Sequence, residues 1–292
     1  MDWEPHTVVD EALVDPAPVA ALQVLLDDGL PPVGPGDPLP PLWHWVALPR
    51  WSPSSLLGLD GHPARGGFLP PVELPRRMFA GGEVTVHGPV RVGDVVRREA
   101  AVTSVEHKHG RSGELVVVTV VTRHFRGDVL AVEETQDLIY RGAGGRSAPE
   151  PVRELAPAPP LARTGEWTWA LRTDPSLLMR FSAATANAHR IHYDHPYATQ
   201  VEGYPGLVVH GPLMTILLAE VARLEGVSGV TRLTHRNLAP LFCGAPATLR
   251  RTAVDGAATT FQLVSPAQGE ETPRTTLTLW VDETRVEKGN DR

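Results

Sequence analysis

The chain has 292 residues, of which 42% are hydrophobic and 21% charged, and a formal net charge of −7 at pH 7. That length and composition support one or two globular units with a sizeable core and exclude a disordered chain. The acidic balance excludes a general nucleic-acid binder, which would need a basic face.

The opening stretch, MDWEPHTVVDEALVD, is acidic and lacks the basic start and apolar core of a signal peptide. The lone cysteine, Cys243, cannot form an intrachain disulfide and suits a reducing cytoplasm, the expected compartment. In VDPAPVAAL (Val14–Leu22), Asp followed by Pro ahead of an apolar-periodic run predicts a capped helix start. The proline-rich PPVGPGDPLPP (Pro31–Pro41) cannot be helix or central strand, and Trp43 and Trp45 just after it read as core residues. PVRVGDVVRR (Pro89–Arg98) reads as proline, glycine four residues on, and a strand ending in two arginines, and two more strands are expected in ELVVVTVVTRHF (Glu114–Phe125) and VLAVEETQDLIYR (Val129–Arg141). A Pro/Ala-rich linker is expected over residues 142–166, since SAPEPVRELAPAPP reads as extended chain.

The second half repeats the order of the first. TDPSLLMRF (Thr173–Phe181) is another Asp-Pro helix start, and PLFCGAPATLRR (Pro240–Arg251) parallels Pro89–Arg98, with proline, then glycine four residues on, then a strand. Strand-like ATTFQLVS (Ala258–Ser265) and TTLTLWV (Thr275–Val281) follow, with a hairpin turn expected at Asp255-Gly256. Between them GPLMTILLAEVARL (Gly211–Leu224) reads as a buried helix, with Glu220 and Arg223 on another face. The preceding run from Gly203 is broken by Pro205, His210 and Pro212, so no membrane span is expected. The repeat predicts an α+β fold, with a sheet wrapped on a central helix in each half.

The densest chemistry is NAHRIHYDH (Asn187–His195), with three histidines, an asparagine and an aspartate. A metal site, an acid–base site and an ordinary polar loop all fit such a stretch. For a metal, His189 and His192 share helical spacing, but no second ligand pair accompanies them and there is no His-Glu-x-x-His, so none is expected. Acid–base work suits histidine, which titrates near neutrality, and the helix start at Gly211 aims unpaired amides at whatever lies there. His195 reads as a solvated surface residue, and His44, His62, His107, His109 and His124 show no convergent partners.

The block FSAATANAHRIHYDHPYA … GYPGLVVHGPL, with PPLWHW, GGFLPPVELPRRMFAGG and HGPVRVGD earlier, resembles the MaoC-like hot-dog dehydratases and hydratases. The resemblance is to the branch of type 2 hydroxyacyl-thioester dehydratases and mesaconyl-CoA or itaconyl-CoA hydratases, and spans most of the chain. It implies a double hot dog: residues 1–141 a non-catalytic half, 142–166 the linker, and 167–292 the half carrying the motif. The general motif is Asp-x-Asn-Pro-x-His. Aligned on its last histidine, His192 takes the catalytic histidine's place, Asn187 the aspartate's, His189 the asparagine's and Arg190 the proline's. Asn187 departs from the pattern because an amide cannot take a proton.

The resemblance implies reversible hydration of an enoyl thioester, with no metal and no redox cofactor. The acyl group would ride on coenzyme A or an acyl carrier protein, with coenzyme A thioester as substrate. His192 would move the proton, with Asn187 orienting water and the Gly211 amide meeting the thioester oxygen. His189, Arg190, His210, Arg76 and Arg77 are candidate substrate contacts, an arginine being suited to a dicarboxylic acyl end. A thioesterase and a non-catalytic acyl-thioester binding subunit are the rival readings. A homodimer is expected from the prevalence of symmetric assemblies.

Overall fold

The computed structural model describes residues 3–110, 113–143, 145, 147–148, 156–267 and 270–282. The first half supplies β1 (Thr7–Leu13), α1 (Pro16–Leu26), α2 (His44–Ala47), β2 (Arg76–Val86), β3 (Val95–Gly110), β4 (Gly113–Arg126) and β5 (Val129–Arg141). The second supplies β6 (Leu161–Gly165), β7 (Thr168–Leu171), α3 (Pro175–Ala184), α4 (Gly211–Leu224), β8 (Val230–Asn237), β9 (Ala247–Asp255), β10 (Ala258–Ala267) and β11 (Glu270–Val281).

These strands form one eleven-stranded sheet in the order β1-β3-β4-β5-β2-β8-β11-β10-β9-β7-β6. Read outward from the middle, both sides run through matching strands, with β6 an extra strand at the second side's edge, so the two hot-dog sheets join edge to edge where β2 pairs antiparallel with β8. The duplication has a local chemical cause. Asp15 and Asp174 each cap a helix that starts with proline, accepting from Ala17 N at 2.7 Å and Leu177 N at 2.8 Å. Ahead of β3 and β9, Gly93 and Gly244 take φ of 95° and 80° in matching turns, conformations that residues with a Cβ avoid.

The halves differ at their centres. α4 has 14 residues and buries ten of them in succession, Leu213 to Ala222. Each large apolar side chain so buried stabilises the fold by roughly 1.5–3 kcal/mol. The equivalent place in the first half, between α1 and β2, holds only the four-residue α2. Pro40 and Pro41 stand just before it and Pro49 follows Leu48, so a longer helix cannot form there. Trp43 and Val46 nevertheless enter the common core.

Two expectations need correction. The last part of the stretch expected as linker, Leu161–Gly165, is strand β6 paired with β7; its polar composition carries no alternation to announce a strand. Residues 144, 146 and 149–155 of that stretch lie outside the described residues. Glu220 is not on a polar face but buried, paired with Arg223 at 2.7 Å; Arg223 also bridges to Asp28 of the first half at 2.9 Å. Burial pushes the Glu220 carboxyl up to about 7, against the pull of Arg223. Among the described residues, no helix is long and apolar enough to cross a membrane.

Candidate active site

The site is built by the loop between α3 and α4. Ala186 takes a left-handed φ of 53°, and Asn187 N then donates to Ser182 O at 2.9 Å, so the chain turns sharply off the end of α3. The Asn187 side-chain oxygen accepts from His189 N at 3.0 Å, which fixes the turn. That engages the oxygen in the turn and leaves the NH2 of Asn187 free to donate to other partners. A short 3-10 turn, Arg190–His192, follows, and Val208 N donates to Ile191 O at 3.0 Å, tying the loop to the entry of α4.

His192 lies 2.7 Å through Nδ1 from the Val208 carbonyl oxygen. A carbonyl can only accept, so Nδ1 carries the proton and Nε2 holds the free lone pair. Burial depresses His192 to about 3, against the opposing pull of that carbonyl, so the ring is neutral at physiological pH. Around it the histidines form a row. The His62 and His189 ring centres are 4.0 Å apart, His189 and His192 meet edge to face at 5.4 Å, and His192 stacks on His210 at 3.6 Å. Burial also holds His189 and His210 far below the ordinary histidine range.

A cavity of 580 Å³ runs between the two halves. His192, Asn187, His189 and Gly211 line it from the second half, and His62 and Arg77 from the first. The sequence thus predicted five of these six. Gly211 has a steric reason to be glycine, because a Cβ would sit 3.0 Å from the Asn237 amide nitrogen and 3.1 Å from the Phe79 ring.

Other predicted contacts lie elsewhere. His210 is fully buried behind His192, with Nε2 2.8 Å from the Ser182 hydroxyl. Arg190 pairs with Asp194 at 2.8 Å and donates to Leu59 O at 3.1 Å, so it fastens the loop and does not line the cavity. Arg76 is buried and bound to Glu202 at 3.2 Å, under the Tyr204 ring; a buried guanidinium needs that carboxylate and is not free for substrate. His195 is half-buried, with Nε2 enclosed and unpartnered among the described residues, and is not a solvated surface residue.

Four of the histidines read as lacking partners have them, among them His107 at the surface, with Nδ1 3.7 Å from Glu114. His44 Nε2 lies 3.3 Å from the buried Glu134 carboxylate, with the His124 ring 5.5 Å from its own. His62 Nδ1 lies 3.1 Å from Asp60 and its ring faces the cavity. The short spacing of Asp60 and His62 was the available signal. Asp60, His62 and His189 bring potential ligand atoms within 4.8 Å of one another. The two rings lie face to face, tilted by 38°, and the carboxylate already accepts from His62.

A model of the hydroxyacyl-thioester dehydratase type 2 family matches residues 42–243. The chain belongs to that family. It is 46% identical to mesaconyl-C(4)-CoA hydratase of Chloroflexus aurantiacus over 84% of this chain and 86% of that protein. Among solved structures, HtdX of Mycobacterium tuberculosis superposes with a TM-score of 0.61 at 22% identity, over 94% of this chain and 99% of that one. A double-hotdog protein of the same organism superposes at 0.53 with 16% identity, over 96% and 95%. The double hot-dog fold and membership of the type 2 dehydratases make this chain a hydro-lyase of acyl thioesters, adding or removing water across the α,β bond.

Proposed function

We propose that this type 2 dehydratase relative hydrates a short α,β-unsaturated coenzyme A thioester that carries a free carboxylate, as a mesaconyl group does. The observation that carries the reading is Arg77. It lines the cavity beside His62 and His189 and forms no ion pair among the described residues, whereas Arg76 and Arg190 are both committed. A cavity-lining cation without an ion-pair partner of its own is suited to a substrate carboxylate. The likeness to a mesaconyl-C(4)-CoA hydratase supports the same substrate class.

The chemistry needs three things from this chain. The neutral Nε2 of His192 accepts from the attacking water and raises its nucleophilicity toward Cβ. The Asn187 NH2 group donates to the water or to the acyl oxygen, its own oxygen being engaged. As the water oxygen bonds to Cβ, the π electrons move onto the thioester oxygen, where the Gly211 amide at the start of α4 meets the growing charge. The proton given up by water then returns to Cα. The balance closes with no metal and no redox cofactor, and activity should survive dialysis against a chelator. Coenzyme A is proposed over an acyl carrier protein because the relative's substrate bears it. A cytoplasmic homodimer is the proposed state, on the lone thiol and on symmetry.

The test is a panel of mesaconyl, crotonyl and long-chain enoyl thioesters, each on coenzyme A and on carrier protein. Loss of the conjugated chromophore and release of thiol are followed together. The reading expects chromophore loss without thiol, fastest with mesaconyl-CoA. Thiol release would make the chain a thioesterase, and binding without turnover a carrier subunit. An Arg77→Ala variant should raise KM for mesaconyl-CoA and leave that for crotonyl-CoA unchanged.

A further inference from the structure

The mechanism above leaves open where the water's proton rests before it reaches Cα. Of the four histidines in the row, His62 alone is hydrogen-bonded to a carboxylate, with Nδ1 3.1 Å from Asp60. His192 leans on a neutral carbonyl and His210 on a hydroxyl, and neither stabilises a full positive charge as a carboxylate does. Asn187 cannot ionise.

The pair is built into the site, not loosely attached to it. Asp60 also accepts from His62 N at 3.0 Å, which holds both residues in one turn. Gly61 between them has φ of 88°, and a Cβ there would fall 1.8 Å from the Ala188 carbonyl oxygen. The turn therefore presses directly on the loop that carries His189 and His192. Arg190 N then donates to Asp60 O at 2.9 Å and fastens the two loops together. The His62 side chain keeps 19% of its surface exposed and lines the same cavity as His192, with the His189 ring beside it.

We propose that His62, oriented by Asp60, is a second catalytic residue of the hydration site and holds the proton in transit. His192 accepts one O–H of the water. The other O–H bond breaks as the oxygen bonds to Cβ, and its proton goes to His62 Nε2. The imidazolium, paired with Asp60, then passes that proton to Cα as the enolate electrons form the new C–H bond, which restores the neutral ring. Asp60 is a positioning residue. The groups facing His62 are Asp60, His189, His192, Arg77 and Arg65; burial lowers the ring to about 4, Asp60 opposes that, and the two arginines add to it. A charge on His62 also disfavours one on His192, so His192 stays neutral while His62 holds the proton.

This inference rests on the hydratase reading, so the full-length wild type is run beside every variant on mesaconyl-CoA and crotonyl-CoA. His62→Gln stays close in size but cannot carry a proton. It should lower kcat by about 10²–10⁴-fold, the usual range for a general acid–base group, with KM and melting temperature near wild type. His62→Ala should lose as much and recover in part when imidazole is added. Asp60→Asn should lose less, and should move the acid limb of kcat/KM to lower pH, since the carboxylate raises the affinity of His62 for its proton. Near-wild-type kcat in His62→Gln would overturn the proposal. So would loss of activity on dialysis against a chelator with recovery on adding Zn²⁺, which would make the cluster a metal site. A wild type inactive on both thioesters would instead remove the hydratase reading and this proposal with it.

Discussion

The two halves follow one topology and put it to different uses. In the second, the 14-residue α4 begins at Gly211, at a cavity with neutral, cavity-lining histidines before it. In the first, α2 has four residues, and His44 at its start is tied to the buried Glu134, which also accepts from Trp45 Nε1 at 2.8 Å. A helix start with an unengaged base beside it can do chemistry, whereas one whose histidine is bound to a carboxylate holds structure. The first half still reaches the site by another route, through the Asp60–His62 turn and Arg77.

The largest effect that would sharpen this contrast comes from the paired substitutions His192→Ala and His44→Ala. We expect His192→Ala to lower kcat by about 10²–10⁴-fold with its melting temperature nearly unchanged. His44→Ala should leave kcat near wild type and lower the melting temperature. A reversed pattern in steady-state kinetics would place the chemistry in the first half. If His189→Ala abolished turnover while His192→Ala did not, the motif would be misaligned by three residues.

Next in size, Glu134→Ala should destabilise the protein by about 1–3 kcal/mol in urea unfolding, because the buried His44 and the partly buried Trp45 would lose their partner. Activity of the folded fraction should not change. A stability loss in Glu134→Ala no greater than that of an exposed Glu11→Ala control would show that the cluster holds nothing together.

A smaller effect, spread over both halves, is acid sensitivity. Burial lowers His62 and His235 to about 4, and His124 and His192 to about 3. Unfolded, each would titrate near 6.5, so between these values the unfolded chain binds more protons than the folded one. The stabilisation is complete above pH 6.5 and is lost as pH falls from there toward 3. Melting temperature should drop steadily below pH 6.5, and a His124→Gln variant should flatten the slope. A flat profile down to pH 4 would show that these rings are not buried neutral.

Local rules were legible in the sequence, and distant ones were not. Asp15 and Asp174 could be read as caps because a cap and its helix are adjacent, and Gly93 and Gly244 because a turn is local. The buried run of α4 announced itself by composition, as did the histidines of its entry loop. What stayed hidden depends on partners far along the chain. Arg76 meets Glu202 across 126 positions and Arg190 meets Leu59 across 131, so neither commitment shows in the local pattern. His62 was misread for the same reason, since its importance comes from facing His189. Strand β6 was missed because it is short, polar and defined only by its pairing with β7.

The central claim is that a duplicated fold carries one thioester site per chain, in the second half's entry loop. Calorimetric titration of the full-length protein with a saturated, unreactive analogue such as methylsuccinyl-CoA tests it most directly. The account predicts one molecule bound per chain, with binding weakened by Arg77→Ala and unchanged by His44→Ala. Two molecules per chain, or one whose binding is lost in His44→Ala and kept in Arg77→Ala, would contradict it.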